Sequence, residues 1–183
     1  CSVRRQRQMC IRDRTIPAAV VPVIVGTASV ESSLTIYRLL LALVVSIALQ
    51  VGVNYANDYS DGIRGTDQDR VGPRRLVGSG LVNAKKVKLA AGISFLVAAI
   101  AGLVLAIVTS LFLILIGCIA ILAAWFYTGG SKPYGYSGFG EISVFVFFGL
   151  VATVGSSYVQ SQTIESISIL SVSYTHLTLP TNG

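Results

Sequence analysis

Leu39-Leu-Leu-Ala-Leu-Val-Val-Ser-Ile-Ala-Leu-Gln-Val-Gly-Val-Asn54-Tyr-Ala-Asn-Asp-Tyr-Ser-Asp-Gly-Ile-Arg-Gly-Thr-Asp-Gln-Asp-Arg70 runs an apolar segment into the most acidic stretch of the chain. Its second half holds four of the eight acids: Asp58, Asp61, Asp67 and Asp69. Acids at the mouth of a membrane helix are costly, so a functional role is the default reading. Asn57 and Asp61 lie four residues apart and face the same way if the helix continues that far. Gly62 and Gly65 are expected to break it. The residue set suits a hard cation: magnesium is held by a few carboxylates and completed by water and phosphate oxygens. The competing reading is a helix end followed by a polar loop, where Asn, Asp and Gly are common anyway. The register of an EF-hand is absent, and so is a phosphate-cradling G-x-x-x-x-G-K-[ST].

Composition sets the class. The chain of 183 residues is 53% hydrophobic and only 12% charged, with mean hydropathy +0.72. Long apolar runs between short polar ones indicate a multi-pass membrane protein. The runs are continuous and do not alternate, which favours helices over a barrel. The net charge of +6 overstates the basicity of the body. Arg4, Arg5, Arg7, Arg12 and Arg14 crowd the first fourteen residues against Asp13; the remainder has nine basic and seven acidic groups. That balance reads as topology signal and site charge, with no nucleic-acid surface. Cys118 is expected to be a small buried apolar residue. His176 is the only histidine, which argues against His-based chemistry.

Five transmembrane helices are expected, over about 15–30, 37–57, 87–109, 111–127 and 141–160, in an all-α bundle. Pro17 fits a first turn and Pro22 the interior of the first helix. Helices three and four form a tight hairpin. The 58–86 loop is the most basic, so it and the 128–140 loop are expected on the cytoplasmic face of the cell membrane. The 31–36 and 109–110 turns lie outside. Gly52, Gly92, Gly102, Gly117 and Gly149 are expected to ease helix packing. Residues 1–13 and 171–183 do not match the body and resemble translated sequencing-adaptor sequence; residues 14–170 form the membrane domain.

Asn-Asp-Tyr-Ser-Asp-Gly-Ile-Arg-Gly-Thr-Asp (57–67), followed by Asp69-Arg-Val-Gly-Pro-Arg-Arg-Leu-Val-Gly-Ser-Gly80, resembles the intramembrane aromatic prenyltransferases. Arg14-Thr-Ile-Pro-Ala-Ala-Val-Val-Pro-Val and Tyr127-Thr-Gly-Gly-Ser-Lys-Pro-Tyr-Gly-Tyr agree with it. The branch it looks most like prenylates 1,4-dihydroxy-2-naphthoate in menaquinone synthesis. Asn57 and Asp61 fit the first two places of the family's N-x-x-x-D-x-x-x-D; the third falls on Gly65, and the next acid is Asp67. The resemblance implies transfer of a polyprenyl group from its diphosphate to the naphthoate, assisted by Mg2+, within the lipid bilayer. It implies Asn57, Asp58, Asp61 and Asp67 as metal ligands, with Asp61 and Lys132 catalytic. Arg70, Arg75, Lys132 and Tyr127 would contact substrate, and Tyr127, Tyr134 and Phe145 would wall the allylic cation. The family has about nine helices and a second acidic motif that this chain lacks. The sequence therefore reads as an N-terminal portion, inactive alone, with Ser156, Ser157 and Gln160 expected to lack protein partners. The alternatives are another aromatic prenyltransferase of the superfamily and a non-enzymatic transport or structural protein. A CDP-alcohol phosphotransferase fails at Asp61-Gly-Ile-Arg, which lacks that family's Ala-Arg step.

Overall fold

The computed structural model describes residues 16–31, 34–64, 76–78, 80, 82–128, 142–143, 145–164, 167, 170 and 172. Their elements are all helical: α1 (Ile16–Ala28), α2 (Ile36–Arg64), α3 (Ala84–Val108), α4 (Phe112–Thr128), then a π-helical turn, Phe145–Val151, that runs into α5 (Ala152–Ser161). α2 and α3 are long and apolar enough to cross a membrane. α1, α4 and the 145–161 segment are shorter apolar helices.

α2 is the axis of the assembly and touches every other helix. α3 packs along one side of it, and α4 returns antiparallel after the three-residue turn Thr109–Leu111. α1 and α5 pack together against the other side. Close approach of α1 to α5 depends on Gly26, whose missing Cβ would stand on the carbonyl of Thr153. Gly52 likewise admits the Phe95 ring against α2, and Phe95 meets Trp125 edge to face at 6.4 Å. Gly92 and Gly117 have no neighbour within 4 Å of such a Cβ, so the packing role expected of them is not seen.

The burial pattern is inverted relative to a protein in water. The interior is small or polar: Ala19, Ala42, Ala56, Ala91, Ala98 and Ala101 are buried, and so are Ser46, Gln50, Asp58 and Asp61. The outer face of α3 carries Leu89, Ile93, Leu96, Ile100, Leu103 and Ile107, all exposed. Spacings of three and four put them on one stripe. Such a surface is unfavourable in water and suits lipid, where association rests on small residues and hydrogen bonds. The chain is a membrane protein on this surface and on the spans of α2 and α3. Cys118 is exposed on α4, contrary to the expectation of burial, because that part of α4 faces outward.

Three expected boundaries move. α2 ends at Arg64 and not near Asn57; Gly62 continues the helix. The last turns of α2 are held by the turn at 76–78, where Val77 packs against Gly62. At about 1.5 Å per residue, 29 residues span about 43 Å, more than the roughly 30 Å hydrocarbon core. The acidic end therefore projects beyond the apolar layer. α3 starts at Ala84, three residues earlier than expected, with Asn83 as N-cap, its Oδ1 accepting from Lys85 N–H at 2.9 Å. The fifth helix opens as a π turn, a feature that period-3.6 reasoning does not anticipate.

The expected exposure of Ser156, Ser157 and Gln160 is also corrected, and for Gln160 so is the expected lack of a partner. All three are buried, Ser157 completely. The Gln160 amide accepts from Thr35 N–H at 3.0 Å and donates to Thr35 C=O at 3.3 Å. The reason is the α1–α5 contact, which covers the inner face of α5 from within the chain. Among the described residues the Ser157 hydroxyl does lack a hydrogen-bond partner.

Candidate functional site

Helical geometry fixes the site before any packing. Ser46, Gln50, Asn54, Asn57 and Asp61 fall on one face of α2, within a sector of about 80° at 3.6 residues per turn. The helix thus carries a polar stripe through otherwise apolar sequence. Four of the five, all but Asp61, line a cavity of about 850 Å³. Its other walls are α4, from Phe112 to Tyr127, and the π turn with α5, including Phe147, Phe148, Ser156 and Tyr158. An apolar cavity with a few convergent polar groups is the usual form of a small-molecule site. The stripe lies along one wall, so a long apolar ligand could rest on α4 and α5 with its polar end toward Asn57.

Each polar member has a distinct setting. Ser46 donates to the Ala19 carbonyl at 2.7 Å and ties α2 to α1. Asn57 is half-buried at the acidic end of the cavity. Asp61, one turn farther, is 4% exposed. Asp58 lies off the stripe and does not line the cavity. Its carboxylate accepts from Leu76 N–H at 3.2 Å and, more weakly, from Val77 N–H at 3.5 Å. Val82 N–H to Leu76 C=O at 3.1 Å and Gly80 N–H to Val77 C=O at 3.0 Å close the turn so held.

The expected site residues therefore divide. Asn57 and Asp61 share the cavity face of α2, and Tyr127 reaches the same cavity from α4. Asp58 is turned to the loop. Asp67, Arg70, Arg75, Lys132 and Tyr134 lie outside the described residues. Phe145, expected as a wall, is 39% exposed and does not line the cavity; Phe147 and Phe148 do. The π turn puts both adjacent rings on the cavity. Among the described residues no group of three His, Cys, Asp or Glu side chains could hold a metal. The sequence reading missed Ser46, Gln50 and Asn54, although their four-residue spacing inside an apolar run was a visible signal.

A model of the UbiA prenyltransferase family matches residues 19–181. The chain belongs to the UbiA prenyltransferase family. Several curated members of similar sequence bear one name, 1,4-dihydroxy-2-naphthoate octaprenyltransferase. The one from Mycobacterium tuberculosis is 54% identical over 160 residues, covering 86% of this chain and 55% of the relative. The Escherichia coli protein is 38% identical over 169 residues, covering 87% and 55%. The Bacillus subtilis protein is 31% identical over 162 residues, covering 87% and 52%. The chain thus spans about half the length of the curated relatives it matches. No solved structure matches it.

Proposed function

We propose that the protein containing this chain transfers a polyprenyl group from polyprenyl diphosphate to 1,4-dihydroxy-2-naphthoate, the acceptor in menaquinone synthesis. The observation that carries the reading is the polar stripe of α2, which leads along an apolar cavity to Asn57 and Asp61. The 54% identity to a relative named for this reaction agrees with it. In this reading all five helical segments cross the cell membrane, in a larger bundle of about nine. The loops at the acidic end face the cytoplasm, because they are the basic ones.

The donor set at the acidic end is an amide and a carboxylate on one helix face, both oxygen donors. It fits part of a Mg2+ cage, with Asn57 and Asp61 as ligands and Asp67 assisting, while the Asp58 carboxylate holds the turn at 76–78. Bound magnesium would neutralise charge on the departing diphosphate. The chain's own residues do the rest. Arg70 and Arg75 bind phosphate oxygens through their planar guanidinium groups, and Lys132 acts there as a point charge. The walls of α4 and the π turn hold the hydrocarbon and exclude water from the allylic cation. Tyr127, Phe147 and Phe148 present aromatic faces that stabilise positive charge. The ring carbon of the acceptor takes the prenyl group, diphosphate leaves, and the carboxyl group is lost as carbon dioxide.

The test is prenyl transfer from radiolabelled polyprenyl diphosphate to dihydroxynaphthoate. It uses the complete protein, in membranes of a host lacking its own enzyme. Metal-dependent prenylated product is expected; transfer to other aromatic acids but never to the naphthoate would overturn the substrate reading. In the same cells, a cysteine placed at Thr66 should resist an impermeant thiol reagent added outside, and labelling there would reverse the orientation.

A further inference from the structure

Gln50 lies deep in the apolar part of α2, four residues before Asn54 and seven before Asn57. The residue is 8% exposed and lines the cavity. Among the described residues its side-chain amide has no hydrogen-bond partner. An amide buried without a partner is costly, and natural proteins seldom keep one unless a ligand or water completes it. Ser46, one turn away on the same stripe, shows the contrast, because its hydroxyl is engaged by the Ala19 carbonyl.

We infer that Gln50 recognises the aromatic acceptor, its amide hydrogen-bonding a hydroxyl or carboxylate oxygen of the ring. The inference rests on the proposed reaction and adds the means of acceptor selection. Of the two substrates, the prenyl donor has only hydrocarbon to offer at this depth. A hydrocarbon would leave both the N–H and the C=O of Gln50 unsatisfied. The acceptor carries oxygens on opposite edges of a bicyclic ring. Seven residues of helix separate Gln50 from Asn57 by roughly 10 Å, so a ring lying along the stripe would keep one edge near the diphosphate end and reach Gln50 with the other. Ser156, on α5, lines the same cavity, is 5% exposed, and offers a second hydroxyl to the ring. Gln50 is thus a specificity-determining residue, not a ligand of the metal.

The experiment uses the complete protein in membranes and compares wild type with Gln50→Met, which keeps the unbranched shape and removes the amide. The KM for dihydroxynaphthoate, the KM for polyprenyl diphosphate and the melting temperature are measured. Binding of dihydroxynaphthoate is also measured without the donor. Gln50→Met is expected to raise the acceptor KM and Kd roughly tenfold, the usual size of one lost hydrogen bond to a charged or polar ligand. The donor KM should move by less than twofold, and the melting temperature should hold or rise, since an unsatisfied polar group has been removed. An unchanged acceptor KM, or a rise in both KM values with a lower melting temperature, overturns the inference. Should Gln50→Met not accumulate, Gln50→Asn decides: withdrawing the amide by one methylene must weaken the acceptor alone. Wild-type turnover is the baseline throughout. Its absence overturns the functional reading and this inference together, whereas turnover indifferent to Gln50 overturns this inference only.

Discussion

The two ends of α2 carry similar polar chemistry and use it in opposite ways. At the Ile36 end, Arg38 donates to the carbonyls of Val159 at 3.0 Å, Gln160 at 3.3 Å and Val108 at 3.5 Å. Gln160 pairs with the backbone of Thr35. The C-terminal carbonyls of α5 and α3, which no helical N–H can reach, are thus satisfied by one guanidinium. Arg38 and Gln160 are both engaged within the fold. At the Arg64 end, Asn57 faces a cavity, and Asp61 sits one turn beyond it on the same helix face. The lesson is that polarity in a membrane helix marks a site only where packing leaves it facing space. The clasp at one end ties α2 to α3 and α5.

Replacing Asp61 by Asn should have the largest effect. It keeps the shape and removes one charge from the proposed cage. Turnover of the complete protein should fall by about 100-fold or more, as expected for lost charge stabilisation of a transition state. Melting temperature should change little. Near-normal prenyl transfer would erase the distinction between the two ends.

Arg38→Met should act in the reverse sense. Loss of the clasp is expected to cost about 2 kcal/mol of stability, because its hydrogen bonds are charge-assisted but only half-buried. Thermal unfolding in detergent would show it, with both KM values near wild type in whatever remains folded. A selective rise in one KM, with stability intact, would mean that this end also touches substrate.

Asp58→Asn gives the smallest expected change and sharpens the contrast between adjacent carboxylates. Asn cannot accept on both side-chain atoms, so one of the bonds to Leu76 and Val77 is lost, at about 1 kcal/mol. Turnover should fall by less than tenfold, with the same dependence on magnesium concentration. A loss equal to that of Asp61→Asn, with a raised magnesium requirement, would assign Asp58 to the metal instead.

The comparison also shows which features could be read early. Apolar runs located the helices because hydropathy belongs to each segment alone, and α2 and α3 are long enough to cross lipid. The α3–α4 hairpin followed from two long runs separated by a few residues. Helix ends were read less well, since they depend on what caps or covers them. The end of α2 was misplaced by seven residues because Val77, fifteen positions after Gly62, supports its last turn. The inner face of α5 looked uncovered because its cover comes from α1 and Thr35, more than a hundred residues away.

The sequence by itself determined a helical membrane protein and an acidic stretch at one helix mouth. It also put Asn57 and Asp61 on a common face. These follow from hydropathy and the 3.6-residue period, which are properties of a segment alone. Only the tertiary structure separated Asp58 from Asp61, replaced Phe145 with Phe147 and Phe148 at the cavity wall, and brought Gln50 into view. Those distinctions depend on where α4, α5 and the turn at 76–78 lie against α2. A side chain's own chemistry says whether it needs a partner; the fold decides whether the chain supplies one or leaves a cavity in its place.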